Sequence, residues 1–193
     1  MKGENEVIKA ILNRRSIRNY QDREVADSEI ETLINAGIHA PSALALQPWS
    51  FIVVKDRAVM DRVSDYAKPI VIESLKKAKT GGMTKKYLEM VGEEGFSIFY
   101  NAPHLLLILG RNGLIYSDID CSLCAENIML AGASLGIGTC WIGSAKTAEG
   151  SPELMAELKI PDGWHIVAPI IFGYRAEEPD TPVKNPPEIT WLK

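Results

Sequence analysis

Gly136-Ile137-Gly138-Thr139-Cys140-Trp141-Ile142-Gly143 compresses a helix C-cap, a tight turn and a strand into one short segment. Its glycines stand where backbone must approach something closely, either another chain or a flat ligand. Just upstream, from about Ser117 to Leu135, Ile119, Cys121, Leu123, Cys124, Ile128, Ala131 and Leu135 wrap most of a helical cylinder, which predicts a core helix. Before that helix, Leu105-Leu106-Leu107-Ile108-Leu109 is a continuous apolar run that reads as a fully buried strand closed by Gly110. Downstream, Ser151-Pro152-Glu153 is a helix start with an N-cap, a first-position proline and an acidic first turn, and Ile160-Pro161-Asp162-Gly163 ends that helix in a turn. The last strand, His165 to Tyr174, contains Pro169, which suggests an edge position or a bulge.

The amino-terminal half supplies charge. Val7, Ile8, Ile11 and Leu12 recur at helical spacing, and their helix feeds into Arg14-Arg15-Ser16-Ile17-Arg18. Three guanidinium groups and a hydroxyl there suit one anion-sized locus, because the planar fork of arginine donates paired hydrogen bonds to phosphate and never loses its charge. A solvated basic patch at a helix end is the competing reading. Ser28-x-x-Glu31 reads as a capping box for a helix through Ile30, Leu33 and Ile34, with Gly37 placed to end it. The loop from Ala40 to Trp49 is stiffened by Pro41 and Pro48 and leads into the strand Phe51-Ile52-Val53-Val54. Its apolar side chains must find cover, under their own chain or on a partner subunit.

Residues 56–100 read as a helical excursion with a mobile middle near Gly81-Gly82, made basic by Lys76, Lys77, Lys79, Lys85 and Lys86. It is either a solvated face or a lid over a substrate. The prolines of the tail, residues 175–193, forbid a helix, so the tail extends over a surface, and Lys184 would bring a further positive charge to an anion.

The chain has 193 residues, 46% hydrophobic and 24% charged, which fits one globular domain over 1–193. With 25 acidic against 21 basic side chains the net charge is −4, a field that disfavours nucleic acid. The charged start at Met1 and the lack of any long apolar run predict a cytoplasmic protein that does not enter a membrane. Cys121 and Cys124 read as small buried side chains in the core helix, not as half of a metal site, since no second Cys or His pair accompanies them. Asp118 and Asp120 read as first-turn acids favoured by the helix dipole. No Gly-x-Ser-x-Gly elbow is present, which argues against a hydrolase.

Three segments in order, Arg14 to Arg18, Ala40-Pro41-Ser42 with Gln47-Pro48-Trp49, and Gly136 to Gly143, resemble the FMN-dependent nitroreductase family over about Ile8 to Lys184. The resemblance implies an α+β fold with a central mixed β-sheet flanked by helices. It also implies a homodimer with FMN at the subunit interface and a C-terminal extension wrapping the partner. It assigns Arg14, Arg15 and Ser16 to the FMN phosphate and Arg18 to the pyrimidine side of the flavin. Pro41, Ser42 and Ala43 would come from the other subunit with Gln47 nearby. Trp141, Ile142 and Gly143 would line the ring, and Lys184 would reach the phosphate.

By the same resemblance, NADH or NADPH reduces the flavin at N5 and an aromatic acceptor, a nitro compound or quinone, is then reduced in the same place. No protein nucleophile is implied. Many members carry Gly-Asn where this chain has Leu44-Ala45, and dehalogenating members carry threonines where it has Trp141-Ile142-Gly143. The alternatives are a flavin-binding or flavin-degrading protein of the same fold, and an anion- or metabolite-binding module without flavin.

Overall fold

A four-stranded antiparallel sheet, ordered β1-β2-β4-β3, forms the middle layer. The structure is a computed structural model that describes residues 5–78 and 82–193, the Met83 side chain excepted. Met1 to Glu4, and Lys79 and Gly81 of the expected mobile middle, lie outside the described residues. The strands are β1 (Trp49–Val54), β2 (His104–Arg111), β3 (Ile137–Trp141) and β4 (Trp164–Tyr174). The helices are α1 (Glu6–Asn13), α2 (Asp27–Gly37), α3 (Arg57–Lys77), α4 (Gly82–Val91), α5 (Ser117–Ser134) and α6 (Pro152–Glu157).

Because side chains alternate along a strand, the apolar run of β2 serves two layers at once. Leu105, Leu107 and Leu109 face a cluster closed by α3, α6 and the Phe96–Ala102 segment. Leu106 and Ile108 face a second cluster closed by α2 and α5. All five are at most 1% exposed. The strand continues past Gly110 to Arg111, since Gly110 pairs with His165 and Trp49.

Several expectations are corrected. β4 is no edge strand, being paired to β2 and β3 on its two sides. The bulge half of that expectation holds, since the register slips between Ile108 and Leu109 and leaves Val167 unopposed. Pro169 is tolerated because β3 ends beside it: the Ile142 N–H donates to the Pro169 carbonyl at 2.8 Å, and no further ladder bond on that side needs a proline N–H. The strand ladders are all antiparallel, and the expected mixed character reduces to one parallel bridge, Ser16 to Thr139.

α2 starts two residues earlier than the Ser28–Glu31 box implies. Its N-cap is Ala26, whose N–H donates to the Glu29 carboxylate at 3.2 Å, so only the acidic half of a box exists. Gly37 ends α2 as expected, without left-handed backbone, and its carbonyl accepts the Ala40 N–H at 3.0 Å; a Cβ there would lie 2.7 Å from Ile128 on α5, so glycine is needed for close packing. Gly136 does make the left-handed turn at the end of α5, with φ 76°. Ser151 caps α6 through a hydrogen bond from the Leu154 N–H at 3.3 Å. α6 ends at Glu157, before the Ile160–Gly163 turn. The tail from 176 to 193 forms no helix or strand and is almost wholly exposed.

α5 is buried on one side only. Cys121, Cys124, Ala125 and Ile128 are at most 1% exposed, while Ile119, Leu123 and Leu135 remain 43–58% exposed. α1 buries nothing, and its apolar stripe Val7, Ile8, Ile11 and Leu12 stays 44–65% exposed.

Candidate functional site

The cationic segment is placed by β3. After α1 ends at Arg14, the chain runs extended along β3, with the Ile17 N–H donating to the Thr139 carbonyl at 2.9 Å. Ile17 packs flat on Gly138, where a Cβ would lie 2.7 Å from the Ile17 side chain. The Tyr20 hydroxyl donates back to the Ile17 carbonyl at 2.6 Å and holds the segment from its far end.

Extended backbone alternates its side chains, and this divides the three arginines. Arg14, Ser16 and Arg18 face Cys140 on β3. Burial pushes the Cys140 thiol up, opposed by the charge of Arg18, a hydrogen bond with Ser16 and the charge of Arg14. Arg15 turns the other way. Its guanidinium donates to the carbonyls of Leu12 at 2.7 Å and Arg14 at 2.9 Å and reaches Thr181 Oγ1 at 3.3 Å, tying the tail to the end of α1. It borders a separate hollow of 360 Å³ with Lys9, Gly138 and Arg175. Three guanidinium groups therefore do not converge on one locus: Arg15 leaves the side of the segment that carries Arg14, Ser16 and Arg18.

Arg18 opens onto a cavity of 720 Å³, within the usual range for small-molecule sites, about 300–1,000 Å³. Trp141, Ile142 and Gly143 border it where β3 ends, and Lys86, Tyr87 and Met90 of α4 border it from another element. A Cβ on Gly143 would meet nothing within 4 Å, so a flat group can approach that backbone. The Arg18 guanidinium sits over the Tyr100 ring at 5.6 Å, and Phe96 meets the same ring edge-on at 5.4 Å. Burial pushes the Tyr100 phenol up to about 12, against the opposing charge of Arg18, so the phenol stays protonated and able to donate at neutral pH. Tyr100 and Asn101 both adopt left-handed backbone, φ 52° and 54°, a strain of about 1–3 kcal/mol each that the fold sustains beside the cavity. Arg14 is half-buried and pairs with Glu126 of α5 at 3.3 Å, which fixes its side chain.

The Pro41-Ser42-Ala43 loop lies elsewhere. None of Pro41, Ser42, Ala43 and Gln47 borders the Arg18 cavity of the same chain; Pro41, Ser42 and Ala43 form a shallow apolar hollow with Ile119 and Leu123. The loop is anchored by the Ala43 N–H, which donates to both carboxylate oxygens of buried Asp120 at 3.1 Å, and by the Gln47 N–H, which donates to Ser42 Oγ at 3.0 Å. It is also strained, with Leu44, Ala45 and Gln47 at φ 52°, 55° and 48°. Lys184 is exposed in the tail.

Sequence reasoning missed Asp120 as the loop's anchor; it offered the 56–100 excursion with Lys86 as a solvated face or a lid, but singled out none of Tyr100, Lys86, Tyr87 and Met90 as cavity residues. A signal existed for the α4 trio, since positions 86, 87 and 90 share one helical face. Nothing local marks Tyr100.

The chain and its fold have relatives. The model of the nitroreductase family matches residues 11–174. The chain belongs to the nitroreductase family. Among its relatives, an Archaeoglobus fulgidus protein provisionally named NADH dehydrogenase/NAD(P)H nitroreductase is 34% identical over 175 residues, covering 91% of this chain and 88% of the relative. The oxygen-insensitive NADPH nitroreductase of Salmonella typhimurium is 28% identical over 191 residues, covering 94% of this chain and 71% of the relative. Among solved structures, a nitroreductase with bound FMN from Bacteroides fragilis superposes with a TM-score of 0.79 at 26% identity, covering 98% of this chain and all of that one. No helix among the described residues of this nitroreductase-family chain is long and apolar enough to cross a membrane.

Proposed function

We propose that this chain is an FMN-dependent oxidoreductase that draws electrons from NADH or NADPH and reduces electrophilic aromatics such as nitro compounds and quinones. The observation that carries it is the junction of Arg18 with the open backbone at Gly143, one cation and one flat approach on the same cavity. Family membership supports the cofactor, as do the names of relatives that include an FMN reductase and NADPH nitroreductases.

The residues suit FMN. Arg14 and Ser16 would hold the phosphate, where a guanidinium and a hydroxyl can fill several oxygen acceptors. Ile142 and Gly143 would lie against the ring, and Arg18 would sit at its pyrimidine side, held by Tyr100. A permanent charge there favours the more negative of two bound redox forms and raises the potential of the couple. Arg15 contributes indirectly, by fixing the segment and the tail, and Lys184 would join the phosphate only if the tail folds over it. When bound, FMN supplies two-electron transfer between the nicotinamide and the acceptor.

The functional unit in this proposal is a homodimer. The bare stripe of α1, the uncovered side of α5 and the exposed loop at Leu44 and Leu46 form apolar surface that one chain leaves in water. A symmetric partner would cover it and bring its own Pro41-Ser42-Ala43 loop to the cavity. Within this scheme α4 acts as the cavity's movable wall.

The test is a spectrum of the purified protein after FMN reconstitution, followed by anaerobic titration with each nicotinamide and reoxidation by a nitroaromatic or quinone. Yellow protein that bleaches and recovers over many turnovers is expected. A colourless product sinks the proposal, and destruction of the flavin during turnover favours a flavin-degrading activity on the same fold.

A further inference from the structure

We propose that the cavity selects aromatic acceptors carrying an anionic substituent, and that Lys86 of α4 is the residue that selects them. The inference deepens the oxidoreductase reading and rests on this cavity being its substrate site.

Charge distribution is the first argument. The chain carries a net charge of −4, yet among the described residues the cavity is bordered by two cations, Arg18 and Lys86, and by no carboxylate. A concave site lined by one sign of charge concentrates the opposite sign more strongly than an open surface does. The two cations also have different standing. Arg18 is clasped by the Tyr100 ring and belongs to the segment that continues to the anion-binding Arg14 and Ser16. Lys86 enters from α4, a separate element, and among the described residues no ion pair engages it.

Helix geometry is the second argument. Met90 lies four residues after Lys86 and three after Tyr87, so the side of α4 that borders the cavity presents an ammonium and a phenol ring on either flank of a thioether. Tyr100 supplies a second ring and a protonated hydroxyl from another wall. Rings and a thioether suit a planar acceptor, and an ammonium on a flexible four-carbon stem can follow a carboxylate or sulfonate at its edge. A neutral acceptor uses the same rings and leaves the ammonium to water.

The experiment uses FMN-loaded protein and two acceptors of matched shape, 4-nitrobenzoate and the neutral 4-nitrobenzamide. Affinities are read by titration calorimetry on the oxidised protein. Reoxidation rates are read after anaerobic reduction with dithionite, which keeps the anionic nicotinamide out of the comparison. We expect about tenfold tighter binding of the carboxylate, equivalent to 1.4 kcal/mol, a ratio that shrinks with added salt. Lys86→Met should bring the ratio close to one, and Lys86→Arg should retain most of it. Equal affinity of the two acceptors, or a preference that survives Lys86→Met, overturns the inference. If the carboxylate binds preferentially but neither acceptor reoxidises the flavin, selection by Lys86 stands and the oxidoreductase reading falls. If both acceptors turn over without preference, the oxidoreductase reading stands and selection by Lys86 falls.

Discussion

β2 and α1 are both apolar in sequence and end in opposite surroundings. Leu105 to Leu109 are sealed between two layers, whereas Val7, Ile8, Ile11 and Leu12 project from a helix that buries nothing. Hydrophobic periodicity states that a face must be covered; it does not state by which chain. β2 receives cover from its own polypeptide because α3 and α5 flank the sheet on either side. α1 lies outside those layers, and what ties it to the sheet is the return of the Arg14–Arg18 segment along β3.

The comparison breaks most sharply at α1. Ile11→Asp should convert the proposed dimer to monomer, because an isologous interface loses the contact twice, about 3–6 kcal/mol for two buried isoleucines. Sedimentation across a concentration series checks it, and an unchanged association state would mean that α1 is bare in the working protein. Ile108→Ala tests the sealed side and should cost about 2–5 kcal/mol of folding stability in urea titration while leaving association of the remaining folded protein intact.

The cationic segment between the two regions gives finer effects. Arg14→Ala should weaken FMN binding about 10–100-fold, the worth of a charge-assisted hydrogen bond to phosphate. Arg18→Ala should instead lower the midpoint potential, by about 30 mV for each 1.4 kcal/mol of lost stabilisation, measured against a reference dye. Retained affinity in the first variant and an unchanged potential in the second would reverse these assignments.

The closed core also carries a pH signature. His104 is fully buried, accepts the Val25 N–H at 3.0 Å through Nε2, and its Nδ1 has no partner among the described residues. Burial holds its pKa below the usual 6.5. The unfolded chain therefore binds the proton first as pH falls, so stability should decline below about 6.5 and level off beneath the depressed native value. Unfolding midpoints at pH 5 and 7.5 for the wild type and His104→Gln should differ more in the wild type.

The smallest effect is expected in the loop. Leu44→Gly relieves left-handed backbone at a 92% exposed side chain. In the Ile11→Asp background, where the partner that would cover Leu44 is removed, calorimetry should register stabilisation of up to about 1 kcal/mol, the strain relief being offset in part by the greater freedom of glycine in the unfolded chain.

The four strands and the helices α1, α2, α5 and α6 are legible in the sequence because apolar period and cap chemistry act locally, as at Ser151 with Pro152, the run of β2 and the left-handed Gly136, while α3 and α4 are legible only as a helical excursion. The exact start of α2 is not, since a half box at Ala26 and Glu29 prevails over the Ser28–Glu31 pattern. The interior place of β4 depends on where β3 ends, which no window around Pro169 contains. At the site, Arg14, Ser16 and Arg18 are legible as a cationic segment fed in by a helix end. The rotation of Arg15 out of it follows from extended backbone alternation, a consequence of pairing with β3. Asp120 reads locally as an acid for the helix dipole because its partner, the Ala43 N–H, belongs to a remote loop.

The hydrogen bond from Ile17 to Thr139 ties a segment made early in synthesis to a strand made late. While the ribosome still holds the carboxyl-terminal half, Arg14 to Arg18 have no rail to lie on, and the nascent chain carries an unsheltered cationic tract. In the proposed scheme cofactor capture is thereby deferred until translation is nearly complete.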